Sequence, residues 1–290
     1  MDNRPIGVFD SGIGGMTVAA EILKLMPKEH IVYYGDNANT PYGTKSAETI
    51  IGYARNTVAF LLGKDVKAIV VACNTSSALA LPTIREISPV PVVGVLVPGA
   101  RAAVRASKNG RIGVIATEAT VKSRAYEKAI KDTDPEARVY GVSAQDFVLI
   151  AESGDWTGEQ ALSAARSYME GFRGTGIDTL VLGCTHFPLL REVIIRALEE
   201  AGCHGVTLVD PAAEAAAELA ALLKDNGGSD IVTDQKVERV SLYTSGPVGN
   251  YVELTKLITG VELCRSALAE PPCQFSPFMN RMFSSPLSGD

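Results

Sequence analysis

No stretch of this 290-residue chain reaches the run of about 18 apolar residues that a membrane-spanning helix needs. The opening MDNRPIGVFD also lacks the basic-then-apolar layout of a secretory leader. No membrane partner is expected, and the cytoplasm is the expected compartment. Lysine and arginine form no block, and the net charge of −6 is modest, so a nucleic-acid surface is not expected either. The five cysteines (Cys73, Cys184, Cys203, Cys264 and Cys273) are odd in number, and no pair has C-x-x-C spacing. Neither a disulfide framework nor a thioredoxin-type site is therefore expected, and reduced thiols are. Histidine is scarce: with three in the chain and no H-x₃₋₅-H pair, a zinc centre would have to rest on Cys73, Cys184 and His186. Zinc needs three or four ligands, and no metal site is expected. The dinucleotide pattern G-x-G-x-x-G fails at Thr17, the P-loop pattern is missing, and no lysine sits in a setting typical of a Schiff base.

What is present is an alternation of short β-branched runs with amphipathic stretches. Strands are predicted at 5–10, 30–36, 67–73, 91–96, 111–117, 137–143, 178–184, 206–210 and 239–245. Between them lie helical patterns such as SAETIIGYARNTVAFLLGK, with Ser46 placed as an N-cap, EQALSAARSYMEGFRG and LLREVIIRALEEAG. The alternation predicts an α/β architecture with mostly parallel sheets, and the length is at the edge where one core splits into two. LKDNGGSD (223–230) reads as a surface loop. From about Ala267 the periodicity ends, and 266–290 reads as a loosely packed tail in which Phe275, Phe278 and Phe283 are available for docking.

In such folds sites form where strand C-termini hand over to helices, and three segments there carry chemistry. DSGIGG (10–15) follows the first strand; Asp10 either caps the next helix or serves a ligand. In ACNTSSA (72–78), Cys73 ends a strand and opens a helix, a setting that lowers a thiol's pKa and aims N–H groups at a carboxylate. The alternative is a small buried hydrophobe. GCTHFP (183–188) repeats this grammar, with His186 two residues past Cys184; read alone, it allows metal, redox or acid–base chemistry. NTPYGTKS (39–46) reads as a lid or an ordinary turn, and Glu152 in AESGDW as a site acid or a solvated helix end. The runs KAIVVACNT and DTLVLGCTH echo one another in opposite halves of the chain. Two thiols in matched settings, one with Asp10 in reach and the other with His186, suit deprotonation of a carbon on one face and reprotonation on the other.

DSGIGG, YYGD…PYGTKS, VACNTSSA and GCTHFPLL, in that order, resemble the glutamate racemases, the cofactor-independent branch of the aspartate/glutamate racemase superfamily. The resemblance runs from about Ile6 to about Leu263 and includes VDPAAE (209–214) and the YTSG stretch. It implies two similar α/β domains with the active site in the cleft between them: residues 1–97 with 208–265, and 98–207. It implies that Cys73 takes the α-proton from D-glutamate and Cys184 takes it from L-glutamate. Asp10 is implied to assist Cys73, and His186 to assist Cys184, with Glu152 as a further auxiliary. Substrate contacts are implied for Asp10, Ser11, Pro41, Tyr42, Gly43, Asn74, Thr75, Thr185 and His186. No cofactor is implied, a homodimer is common in the family, and the product serves peptidoglycan synthesis. Few residues precede the first strand, so activation through an N-terminal extension, known for some members, is not expected. An aspartate or hydantoin racemase, or a two-lobed amino-acid-binding module without catalysis, would share the architecture.

Overall fold

The computed structural model describes residues 2–225, 239–247, 251–260 and 268–269. Its strands are β1 (Ile6–Asp10), β2 (Ile31–Gly35), β3 (Ala68–Val71), β4 (Val92–Gly94), β5 (Arg111–Ala116), β6 (Arg138–Ser143), β7 (Thr179–Gly183), β8 (Thr207–Val209), β9 (Val240–Thr244) and β10 (Leu268–Ala269). They form two sheets, in the orders β10-β9-β2-β1-β3-β4 and β6-β5-β7-β8. Every strand pair is parallel.

The nine predicted strands are all present; the central ones, buried on both faces, read as near-continuous apolar runs, whereas the edge strand β6 is half-exposed. β1, β2, β3 and β7 are buried at every position. Successive side chains alternate between two cores. Val8 and Val70 join the cluster beneath the helix Met16–Leu25, whereas Phe9, Ile69 and Val71 join the one beneath the helix Ala47–Leu62. The second sheet divides likewise: Leu180 and Leu182 face Phe147 and Phe187, and Val181 faces Tyr126. Ser46 caps the helix Ala47–Leu62 as predicted, its hydroxyl accepting from the Thr49 N–H at 3.2 Å.

Both sheets have one topological feature in common. The chain leaves β1 for β2 on one side and later returns to lay β3 on the other; it leaves β5 for β6 and returns with β7. The reversal opens a crevice beyond the C-terminal ends of β1 and β3, and another beyond those of β5 and β7. Asp10 and Cys73 stand at the first crevice, and Thr117 and Cys184 at the second. The echo between KAIVVACNT and DTLVLGCTH is thus an equivalence of position: each thiol follows the strand laid down at the reversal.

Two boundaries differ from expectation. The division at 207/208 cuts β8, which pairs with β7 through Thr207, Leu208 and Val209. The chain leaves the second sheet only after Val209, and β9 then extends the first sheet beside β2. The segment expected as a tail begins with order, since Leu268 and Ala269 pair in parallel with Leu242 and Tyr243. Phe275, Phe278, Phe283, Cys264, Cys273 and most of the 223–230 loop lie outside the described residues. Among the described residues no helix is long and apolar enough to cross a membrane.

Candidate active site

Asp10 ends β1 fully buried. Its Oδ2 accepts from the Gly12 N–H at 3.1 Å, and the Thr185 hydroxyl, from beyond β7, donates to Oδ1 and Oδ2 at 3.2 and 3.3 Å. Asp10 is not a helix cap; Gly15 holds that position for Met16–Leu25. Burial pushes its carboxyl up from the ordinary aspartate range, while the nearby His186 charge and the Gly12 N–H pull it back. The glycines that follow serve close approach. A Cβ at Gly14 would sit 2.6 Å from Thr185 Oγ1 and 2.8 Å from His186 Nδ1, and one at Gly15 would sit 2.5 Å from Asp10 Cβ.

Cys73 caps the six-residue helix Asn74–Leu79 and is 4% exposed. Its Sγ accepts from the Ser76 N–H at 3.4 Å and lies 4.0 Å from the Ser11 hydroxyl. The sequence predicts a lowered thiol pKa here; the structure reverses that. Burial pushes Cys73 up to about 12, and the Asp10 charge adds to it, outweighing the Ser76 N–H. One N–H at the start of a short helix is too little against the loss of water and a neighbouring carboxylate. Asp10 makes its own hydrogen bonds to Gly12 and Thr185 and reaches Cys73 through its charge.

Beyond β7, Cys184 Sγ lies 3.6 Å from His186 Nδ1, and His186 Nε2 lies 2.7 Å from Glu152 Oε1. The same Glu152 oxygen accepts from the Ile13 N–H at 3.0 Å, so the DSGIGG loop also holds it. Burial pulls the His186 pKa down, but the bonds to Cys184 and Glu152 carry it well above the ordinary imidazole value. Glu152 is held below its usual range: burial raises it, and the His186 and Ile13 contacts outweigh that. Glu152 owes its place to Gly154, which ends the helix Asp146–Ser153 at φ 83°. The result is a chain from thiol to imidazolium to carboxylate. Phe187, packed edge-on to Phe147 at 5.3 Å, anchors the turn behind it.

The 39–46 loop completes the enclosure. Tyr42 donates to Asp36 Oδ2 at 2.5 Å, and Asn39 Nδ2 donates to both Asp36 oxygens. A cavity is lined by Ser11, Pro41, Tyr42, Gly43, Cys73, Asn74 and Thr75 from segments of the first sheet and by Thr117, Val148, Cys184, Thr185 and His186 from segments of the second. Its volume is about 10 Å³, room for about one water molecule. Both thiols thus line one small space. All the expected contact residues except Asp10 line it, while Asp10 and Glu152 stand behind.

Sequence reading missed Thr117, Val148 and Asp36. Thr117 follows β5 as Cys184 follows β7, and its position after the apolar run RIGVIA is the available signal. Its hydroxyl forms a ring with those of Thr75 and Thr120, at 2.8, 2.9 and 3.2 Å. Asp36, just after β2, had the same signal in YYGD. Val148 carries none, since an apolar residue on an amphipathic helix looks like core.

Gly43 makes the seam between the two sides testable. A Cβ there would stand 2.5 Å from Thr117 Cβ and collide with Gln145 Oε1. Gly43→Ala holds the cavity open and lowers turnover about 10-fold or more with the fold intact, because catalysis is sensitive to misplacement of about an ångström. Steady-state kinetics together with the thermal midpoint check this. Unchanged turnover would show that the seam does not govern closure.

Among the described residues, no three His, Cys, Asp or Glu side chains group as metal ligands. The Asp/Glu/Hydantoin racemase family model matches residues 11–219. The glutamate racemase of Geobacter metallireducens is 48% identical over 221 residues, covering 76% of this chain and 80% of its own. The crystal structure of glutamate racemase from Francisella tularensis in complex with D-glutamate superposes with a TM-score of 0.83 at 36% identity, covering 93% of this chain and 98% of that one. A glutamate racemase isoform from Bacillus anthracis gives 0.84 at 35% identity, covering 94% and 99%. With the family model spanning most of the sequence and close relatives spanning the same motifs, the chain belongs to the Asp/Glu/hydantoin racemase family.

Proposed function

We propose that this protein interconverts L- and D-glutamate without a cofactor, with Cys73 and Cys184 as the two bases and with D-glutamate for peptidoglycan as the product in the cell. The observation that carries the reading is the pair of thiols, each following the strand laid down at a sheet reversal, among the residues that line one cavity. Glutamate as substrate rests on relatives that bear the name glutamate racemase, one of them solved with D-glutamate. A cytoplasmic homodimer belongs to the same reading.

The cavity is too small for an amino acid of glutamate's size, so the lobe built on the first sheet and the lobe built on the second part to admit it. Asp10 and the buried polar groups around it fit an ammonium group. The donors of Asn74, Thr75 and Thr185 fit the α-carboxylate. When the lobes close, a thiolate on one face takes the α-proton. The electron pair left on Cα spreads into the carboxylate, where each preorganised donor is worth about 3 kcal/mol. The thiol on the opposite face then delivers its proton to Cα. Burial and the Asp10 charge keep Cys73 a thiol, and an ammonium held between it and Asp10 would favour its ionisation. His186, charged between Cys184 and Glu152, stabilises a thiolate at Cys184.

The test is a circular-dichroism assay with L- and D-glutamate, no cofactor added, and aspartate as the control. Signal decay to zero from both glutamate enantiomers is the expected result. No decay would point to a binding module, and decay with aspartate alone would change the substrate.

A further inference from the structure

Tyr126 lies outside the cavity lining, yet it touches both thiol-bearing segments. Its hydroxyl donates to Asn74 Oδ1 at 2.6 Å, and Asn74 directly follows Cys73. Its ring edge fills the space beside Gly183, which directly precedes Cys184: a Cβ at Gly183 would stand 3.0 Å from Tyr126 Cε2. Tyr126 and Asn74 are each 3% exposed, so their bond is shielded from water. Burial holds the phenol well above its ordinary pKa, and it remains a donor. A cavity of about 200 Å³ borders the ring, with Val114, Val121, Val139 and Thr120 among its walls. The ring belongs to the buried cluster that holds Leu96, Ile130 and Val181, and its hydroxyl bond and Gly183 contact tie that cluster to the two thiol-bearing segments.

An asparagine amide has one acceptor oxygen and two N–H donors. With Oδ1 taken by Tyr126, the donors are what Asn74 has left to offer the cavity. Without that bond the amide is free to turn, and it would present its oxygen, an acceptor, to a carboxylate about as readily as its donors. We infer that Tyr126 is a positioning residue, which fixes the donor face of Asn74 toward the substrate and holds the Cys73 and Cys184 segments in mutual register. This rests on the racemase reading above. It goes beyond that reading by assigning a role in turnover to a residue that lines neither the cavity nor the relay.

The bond matters most when charge develops on the carboxylate, so its loss lowers kcat more than it raises KM. The experiment is a double-mutant cycle on the full chain: parent, Tyr126→Phe, Asn74→Ala and the double variant, assayed for racemisation from both enantiomers, with thermal midpoints recorded. Tyr126→Phe keeps the ring and its contact with Gly183. It should lower kcat about 10-fold with KM within about threefold, and in the Asn74→Ala background it should cost little more. A ring that only fills space predicts no loss in kcat, since phenylalanine fills the same space. Parent-like kcat in Tyr126→Phe, or a loss fully additive with Asn74→Ala, would overturn the inference while leaving the racemase reading intact. An inactive parent would overturn both.

Discussion

Replacing Cys73 by alanine should stop racemisation in both directions while sparing proton exchange from one enantiomer. The loss expected is about 1000-fold or more, the scale on which a positioned base acts. Both directions fail because each turnover uses both thiols, one to take a proton and one to give it. Exchange is a half-reaction and needs only one. In deuterium oxide, Cys73→Ala retains Cys184 on the face that the family resemblance assigns to L-glutamate. L-Glutamate should gain deuterium at Cα with no D-glutamate formed, and Cys184→Ala should do the reverse. The fold should survive, since Cys73 gives its helix only one long contact, to the Ser76 N–H. Proton NMR of the α-position, with a chiral assay of the same samples, reads both quantities. Racemisation at the parent rate by Cys73→Ala, or exchange of the same enantiomer by both variants, would remove the two-base mechanism.

The parts of the fold legible in the sequence are those set by local pattern. Strands buried on both faces, such as β1, β2, β3 and β7, announce themselves as apolar runs, and the half-buried β6, β8 and β9 do so through β-branched residues. Cys73 and Cys184 were legible for a related reason: each breaks such a run at its C-terminal end, where the topology places sites. The limits are equally physical. Which strand pairs with which depends on contacts across tens of residues, so the return of β9 to the first sheet and the attachment of β8 to the second have no local signal. The thiol pKa of Cys73 was misread because a helix N-terminus is visible in sequence and desolvation is not. Glu152 was ambiguous at the end of its helix until Gly154 turned the chain and His186 arrived from another strand. Tyr126 and Thr117 were invisible as site residues because they act on Asn74 and Thr75 across the seam between the lobes.

The side on which His186 acts can be found from isotope effects. His186→Asn should lower kcat about 100-fold, because it removes the imidazole 3.6 Å from the Cys184 thiol and leaves Glu152 without its cation. Loss of rate alone does not say which face is affected. The equilibrium constant between enantiomers is unity, so kcat/KM must fall by the same factor from L- and D-glutamate wherever the damage lies. Isotope effects escape that constraint. If His186 serves Cys184, the variant slows proton transfer to and from that thiol only. From L-glutamate that transfer is the first step, so α-deuterated L-glutamate should show a larger primary isotope effect than in the parent. From D-glutamate it is the second step: abstraction by Cys73 then runs ahead of it and close to equilibrium, so the effect of α-deuterium on D-glutamate should shrink. The solvent isotope effect from D-glutamate should grow in its place. A mirror-image result would attach His186 to Cys73. Equal effects from both enantiomers would mean that His186 serves the closed cavity as a whole and not one thiol.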